Sequence, residues 1–209
     1  RPAVLPTEPG PIVGRTRELA EASRLLTTTR LLTLCGPDGS GRARLALAVA
    51  NAARQADQLW ASAWWVRLPA LGDPGIPARV AAFKLTATPG ADATTALAAR
   101  IAARRILLLL EDCQHAPTAA ATLAHDLLHA CPNLHIIATG RSPLGLAGEA
   151  ALAVGPLTGT VDHADAAKIV CDRAFTADPS QRTQPLNAGA LVALCRQLAG
   201  WPLALEVAA

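Results

Sequence analysis

The chain has 209 residues, 51% of them apolar and 17% charged, with a net charge of +3, which is enough for one α/β domain and a small helical annex. Its longest purely aliphatic stretch, Ile106 to Leu110, falls far short of the ~20 residues that cross a bilayer, so no membrane span is expected, and the proline-rich residues 1–10 carry no export signal. The 17 arginines are scattered, with no basic run and no aromatic stacking motif, so direct nucleic-acid binding by this segment is not expected.

From the N-terminal side, Arg15 to Thr27 reads as a helix with Leu19, Leu25 and Leu26 on one face, and Leu31 to Cys35 as a strand that ends at a glycine-rich turn. A second helix, Arg42 to about Gln55, places Leu45, Val49 and Ala53 at core spacing, and Ala63 to Leu68 reads as the next strand. A Pro/Gly-rich turn leads to a helix around Ala78 to Leu85, and another follows at about Thr94 to Arg104. Ile106 to Leu110 is uninterrupted aliphatic sequence, as in a central parallel strand covered on both faces. Pro117 opens a helix to about Ala130, and His135 to Thr139 and Ala151 to Val154 read as the last strands. From Gly155 onward only helices are legible, roughly Asp162 to Thr176 and Ala188 to Ala199. The expected architecture is an open parallel sheet flanked by helices over 1–155, with ligand sites at the carboxyl ends of its strands, followed by a small all-helical subdomain over 156–209.

The five cysteines are odd in number and set mostly in apolar runs, which suits reduced core thiols and an intracellular, cytoplasmic protein. His125 and His129 stand at i,i+4 spacing with no glutamate between them, so an exposed helix face is expected in preference to a zinc site.

Chemistry concentrates at two strand ends. Gly36-Pro37-Asp38-Gly39-Ser40-Gly41-Arg42-Ala43 joins a strand to a helix with the glycine spacing of a phosphate-binding loop, in which backbone N–H groups and the helix N-terminus surround phosphates. Gly36, Gly39, Ser40, Gly41, Arg42 and Ala43 are therefore candidate binding residues. A lysine and a Ser/Thr that would hold the β/γ-phosphates and magnesium are replaced by Arg42 and Ala43; arginine keeps the charge on a bulkier planar fork, and alanine offers a metal nothing. The second strand end is Glu111-Asp112, where a P-loop enzyme keeps its magnesium carboxylate and catalytic base. Glu111 and Asp112 are the candidate catalytic and metal-ligating pair, although Glu111 is one methylene longer than the usual aspartate. Arg141, just past the strand ending at Thr139, stands where a guanidinium could reach a γ-phosphate. For each of these sites a plain reading remains open: a glycine connector, solvated acids at a strand end, a surface arginine.

Taken in order, Val13-Gly14-Arg15, the loop Gly36 to Ala43, Leu110-Glu111-Asp112-Cys113-Gln114-His115, Thr139-Gly140-Arg141-Ser142-Pro143-Leu144-Gly145 and Gly200-Trp201-Pro202-Leu203-Ala204-Leu205 resemble the STAND NTPases. More narrowly, the series is similar to the NB-ARC-like domains of bacterial LuxR-type and SARP-type transcriptional regulators. The resemblance implies a P-loop NTPase fold and a nucleotide-dependent switch that takes ADP or ATP, with magnesium weakly held or lost. It implies covalently attached effector and sensor domains outside the segment, and self-oligomerisation. It also implies that Val13, Gly14, Arg15 and Pro202 lie against adenine and sugar while Arg141 senses the γ-phosphate. The departures at positions 42, 43 and 111 imply weak or absent hydrolysis. The other readings are a slow working ATPase and a nucleotide-free structural scaffold.

Overall fold

Leu31 to Cys35, Ile106 to Glu111 and Leu134 to Gly140 are so apolar that they are stable only as strands with both faces covered. The computed structural model, which describes residues 5, 12–56, 62–68, 93–157, 170–171, 193–194 and 197–208, places them at the centre of a sheet. The described elements are α1 (Thr16–Thr28), β1 (Leu31–Cys35), α2 (Arg42–Ala56), β2 (Ser62–Arg67), α3 (Ala93–Ile101), β3 (Ile106–Glu111), a 3-10 turn (Cys113–His115), α4 (Pro117–Ala130), β4 (Leu134–Gly140), β5 (Glu149–Ala153) and α5 (Pro202–Ala208). Among the described residues the sheet has five strands in the order β2-β3-β4-β1-β5, and every pairing is parallel. The helix expected around Ala78 to Leu85, and most of those expected over Asp162 to Thr176 and Ala188 to Ala199, lie outside the described residues.

The period-2 alternation of the central strands divides the core into two layers. Ile106, Leu108 and Leu110 face Leu97 and Ile101 of α3 and Leu123 and Leu127 of α4. Leu107 and Leu109, with Leu32 and Leu34 of β1, face Leu26 of α1 and Leu45 and Val49 of α2. Each such leucine contributes about 1.5–3 kcal/mol by leaving water, which is why a five-leucine-class run is a strand here and not a loop. A third, smaller cluster joins Leu157, Val170 and Leu205, with Val13, Leu194 and Leu198 packed against it.

Helix ends follow local chemistry. Pro117 starts α4 at a position whose N–H would be orphaned in any case. α3 ends at Ile101, earlier than the apolar spacing predicts, because Ala102 adopts φ 45 and its N–H closes onto the Ala98 carbonyl at 2.6 Å. β5 begins at Glu149, ahead of the predicted Ala151: it is the edge strand and only half buried, so apolar pattern does not mark its start. α5 was not legible from periodicity; seven residues are too few to show a helical stripe. No helix among the described residues is long and apolar enough to cross a membrane.

Candidate nucleotide site

In a parallel sheet every strand presents its carboxyl end on the same edge, so loops far apart in sequence meet there. β1 delivers the glycine loop, β3 the acids Glu111 and Asp112, and β4, lying between them, Gly140 and Arg141. The loop's foot is fixed on both sides: Gly36 N–H donates to the Gly140 carbonyl at 3.1 Å and Val154 N–H to the Cys35 carbonyl at 2.6 Å. Gly36 admits no larger residue, since a Cβ there would sit 2.3 Å from the Val154 carbonyl oxygen. Gly39 and Gly41 take φ 79 and 87, conformations closed to most L-residues.

A cavity of ≈ 570 Å³ opens over this edge. Of the residues singled out from sequence, Val13, Arg15, Gly39, Gly41, Arg42, Ala43, Asp112 and Pro202 line it, whereas Gly14, Gly36, Ser40, Glu111 and Arg141 do not. Its apolar wall is Ile12, Val13, Leu157, Pro202 and Leu203. The wall is joined to the loop directly: Leu203 N–H donates to the Gly39 carbonyl at 3.3 Å, and Arg44 of α2 pairs with Glu206 of α5 at 3.3 Å. Arg15, 4% exposed, ties the entry segment to both sides by donating to the carbonyls of Ser40 and Gly155.

The charged groups are largely answered from within the chain. Arg42, 7% exposed, turns back onto its own loop and donates to the Gly36 carbonyl and, at 3.0 Å, to Asp38. Arg141 reaches the other oxygen of Asp38 at 2.6 Å. These guanidinium groups, Arg141 first, hold the Asp38 carboxyl below its ordinary pKa and keep it ionised. At the end of β3, Glu111 is buried and turned away from the cavity. Arg67, its register partner on β2, grips it through Nε at 2.9 Å and Nη2 at 2.8 Å, and Trp65 Nε1 donates to it at 2.8 Å. Arg67 also lies 3.5 Å from Asp112. Asp112 adopts φ 63, a left-handed conformation that aspartate tolerates better than most residues, and its carboxylate accepts from Gln114 at 3.1 Å.

The nucleotide that the sequence resemblance implies can be tested against this geometry. The loop fits the phosphate end of such a molecule: two positive-φ glycines, the N-terminus of the 15-residue α2, and a fully buried Ser40 Oγ that has no hydrogen-bond partner among the described residues. The apolar wall and the cavity volume fit its base and sugar. Magnesium does not fit. Ala43 offers no side-chain oxygen, and Glu111 is held by Arg67 and Trp65. The acids that line the cavity are already paired, Asp38 with Arg42 and Arg141, Glu206 with Arg44, and Asp112 with Gln114 and Arg67, short of the free oxygen-rich set that a divalent cation takes. No cluster of three or more metal-ligating side chains occurs among the described residues. Cys35, Cys113 and Cys131 are free thiols, and burial pushes Cys113 up to about 12.

Asp38, Arg67, Leu203 and Glu206 were missed as site residues. An acid inside a phosphate loop is a signal in itself; Arg67 lies near the end of a predicted strand, but only the strand order shows that this strand neighbours the acids, and nothing local marks Leu203 or Glu206.

Comparison with known proteins bears on this geometry. No protein-family model matches the chain. In structure it is similar to a signal transduction ATPase with numerous domains (STAND) from Pyrococcus horikoshii, which carries a tetratricopeptide repeat sensor, at a TM-score of 0.57 and 16% identity over 97% of this chain and 31% of that one. It is also similar to a Walker-type ATPase of Pyrococcus abyssi, at a TM-score of 0.59 and 17% identity over 99% and 68% of the two chains. The fold is that of a P-loop NTPase. In sequence the P-loop chain is 39% identical over 187 residues to a Mycobacterium tuberculosis protein named as a candidate HTH-type transcriptional regulator, and 37% identical over 199 residues to an uncharacterised protein of the same species. These alignments cover 88% and 94% of this chain but 20% and 49% of the relatives, so the chain spans half or less of the length of the curated relatives it matches.

Proposed function

We propose that this chain is the nucleotide-binding switch module of a larger transcriptional regulator, and that it takes ADP or ATP without relying on magnesium and with little or no hydrolysis. The observation that carries the reading is the combination of a glycine loop open to the cavity with an acid pair already engaged by Arg67. The loop supports phosphate binding through backbone N–H groups. Arg67 places one positive charge between Glu111 and Asp112, half of what a divalent ion would bring, and occupies the Glu111 oxygens. Catalysis of phosphoryl transfer depends almost entirely on such positioned charge, and removing one charge-stabilising donor typically costs ~10²–10³ in rate; the chain departs from the usual set at Arg42, Ala43 and Glu111 together.

The regulatory half of the reading draws on the relative named as a candidate transcriptional regulator, and on the STAND neighbour, whose fold this chain shares. In this reading residues 1–155 form the nucleotide-binding domain and 156–209 the start of a helical subdomain. Effector and sensor domains lie elsewhere in the full protein, and this segment contacts neither DNA nor membrane. Arg15, Val13 and Pro202 face base and sugar. A slow ATPase is the second reading, favoured by Asp112, which keeps a strained backbone and a place on the cavity wall.

Isothermal titration of the chain with ADP and ATP, each with and without magnesium, alongside a turnover assay, tests the proposal. Binding that is indifferent to magnesium, with no measurable turnover, is the expected result; tight magnesium-dependent binding with phosphate release would overturn it in favour of the slow ATPase. The paired substitution Arg42→Lys with Ala43→Thr is expected to make ATP binding magnesium-dependent and about tenfold tighter, the scale of one charged hydrogen bond.

A further inference from the structure

The glycine loop contains an acid, Asp38, at the point where the loop faces its two arginines. Ser40 N–H donates to the Pro37 carbonyl at 3.3 Å, closing a four-residue turn with Asp38 and Gly39 at its centre. Gly39, at φ 79, supplies the positive φ that such a turn needs at its third position. The turn aims the two carboxylate oxygens of Asp38 at different partners: Oδ1 accepts from Arg42 at 3.0 Å and Oδ2 from Arg141 at 2.6 Å. Arg42 is buried and belongs to the loop; Arg141 is exposed and arrives from the end of β4, 103 residues away in sequence. The remaining cavity-lining acids are engaged elsewhere, Glu206 with Arg44 and Asp112 with Gln114 and Arg67.

We propose that Asp38 is the specificity-determining residue of this site: its carboxylate makes, from inside the chain, the bridge between Arg42 and Arg141 that a terminal phosphate would make, and so sets the site toward nucleoside diphosphates and against triphosphates. The inference rests on the nucleotide-binding reading above. A diphosphate uses the backbone N–H groups of the loop and leaves the bridge in place. A triphosphate must displace a carboxylate from two guanidinium groups and then lies beside that displaced negative charge. Because Asp38 and Arg141 are both more than half exposed, solvent screens part of the effect.

The test is titration of ADP and of ATP, with EDTA present, into the 209-residue chain, its Asp38→Asn variant, and the Asp38→Asn/Arg141→Ala double variant. The asparagine keeps the shape and removes the charge. The affinity for ATP relative to ADP is expected to rise about fivefold in the single variant and to lose that gain in the double variant, since Arg141 is then missing as the phosphate's partner. An unchanged ratio in Asp38→Asn, with both nucleotides bound, would overturn the role of Asp38 while leaving the nucleotide reading intact, as would an equal gain for ADP and ATP, which is the signature of general charge repulsion. Absence of binding to all three proteins would overturn the nucleotide reading, and this inference with it.

Discussion

At the glycine loop the backbone is shaped by glycines, the Asp38 and Arg42 side chains on the cavity wall pair with each other, and Ser40 Oγ is buried with no partner among the described residues. At the end of β3 the polar groups belong to side chains, and Glu111 is gripped by Arg67 and Trp65. The loop half owes its form to glycines: Gly36 and Gly39 cannot be exchanged without collision, and Gly39 and Gly41 hold a positive φ. The acid half is a set of side chains held by one another through ion pairs and hydrogen bonds. The loop's backbone geometry is thus set by sterics at its foot, whereas the acids at the end of β3 are held by an internal ion pair.

The comparison can be broken at its most rigid point. Gly36→Ala places a methyl group 2.3 Å from the Val154 carbonyl oxygen, and because backbone on both sides must shift, a loss of about 3 kcal/mol is expected in chemical denaturation. A variant that unfolds like the parent would show that the loop half is not held by sterics. In the other half, Glu111→Ala removes the carboxylate that accepts from Trp65 Nε1 and the Arg67 guanidinium, leaving Arg67 with Asp112 at 3.5 Å. Arg67 is 66% exposed and can turn to water, so the expected loss is smaller, about 1–2 kcal/mol. A loss as large as that of Gly36→Ala would place the two halves on the same footing. The smallest effect is expected where the halves are joined to α5: Leu203→Ala removes a side chain that covers Gly39 but is itself 54% exposed, costing about 1 kcal/mol or less by half-burial.

Much of this was legible in the residues alone. The both-face burial of Ile106 to Leu110 followed from an aliphatic run with no alternation, and the parallel sheet followed from strands spaced by helices. The order of the strands was not legible, since β4 enters between β1 and β3 through pairings that leave no local trace in either neighbour. Glu111 and Asp112 were legible as a strand-end pair, but their opposite fates were not. The side-chain alternation that turns Asp112 to the cavity and Glu111 to Arg67 depends on where the strand stops, and strand ends are the least local feature of a sequence. The ends of α3 and β5 shifted for the same reason: a left-handed residue at Ala102 and a half-buried edge strand override apolar spacing.

Arg15 touches Gly155, Arg141 touches Asp38 and Arg44 touches Glu206, across sequence separations of 140, 103 and 162 residues. Contacts that close such long loops pay their entropy before they return anything. During synthesis on the ribosome no ligand that needs both walls of the cavity can therefore be held until residue 206 has emerged and folded back.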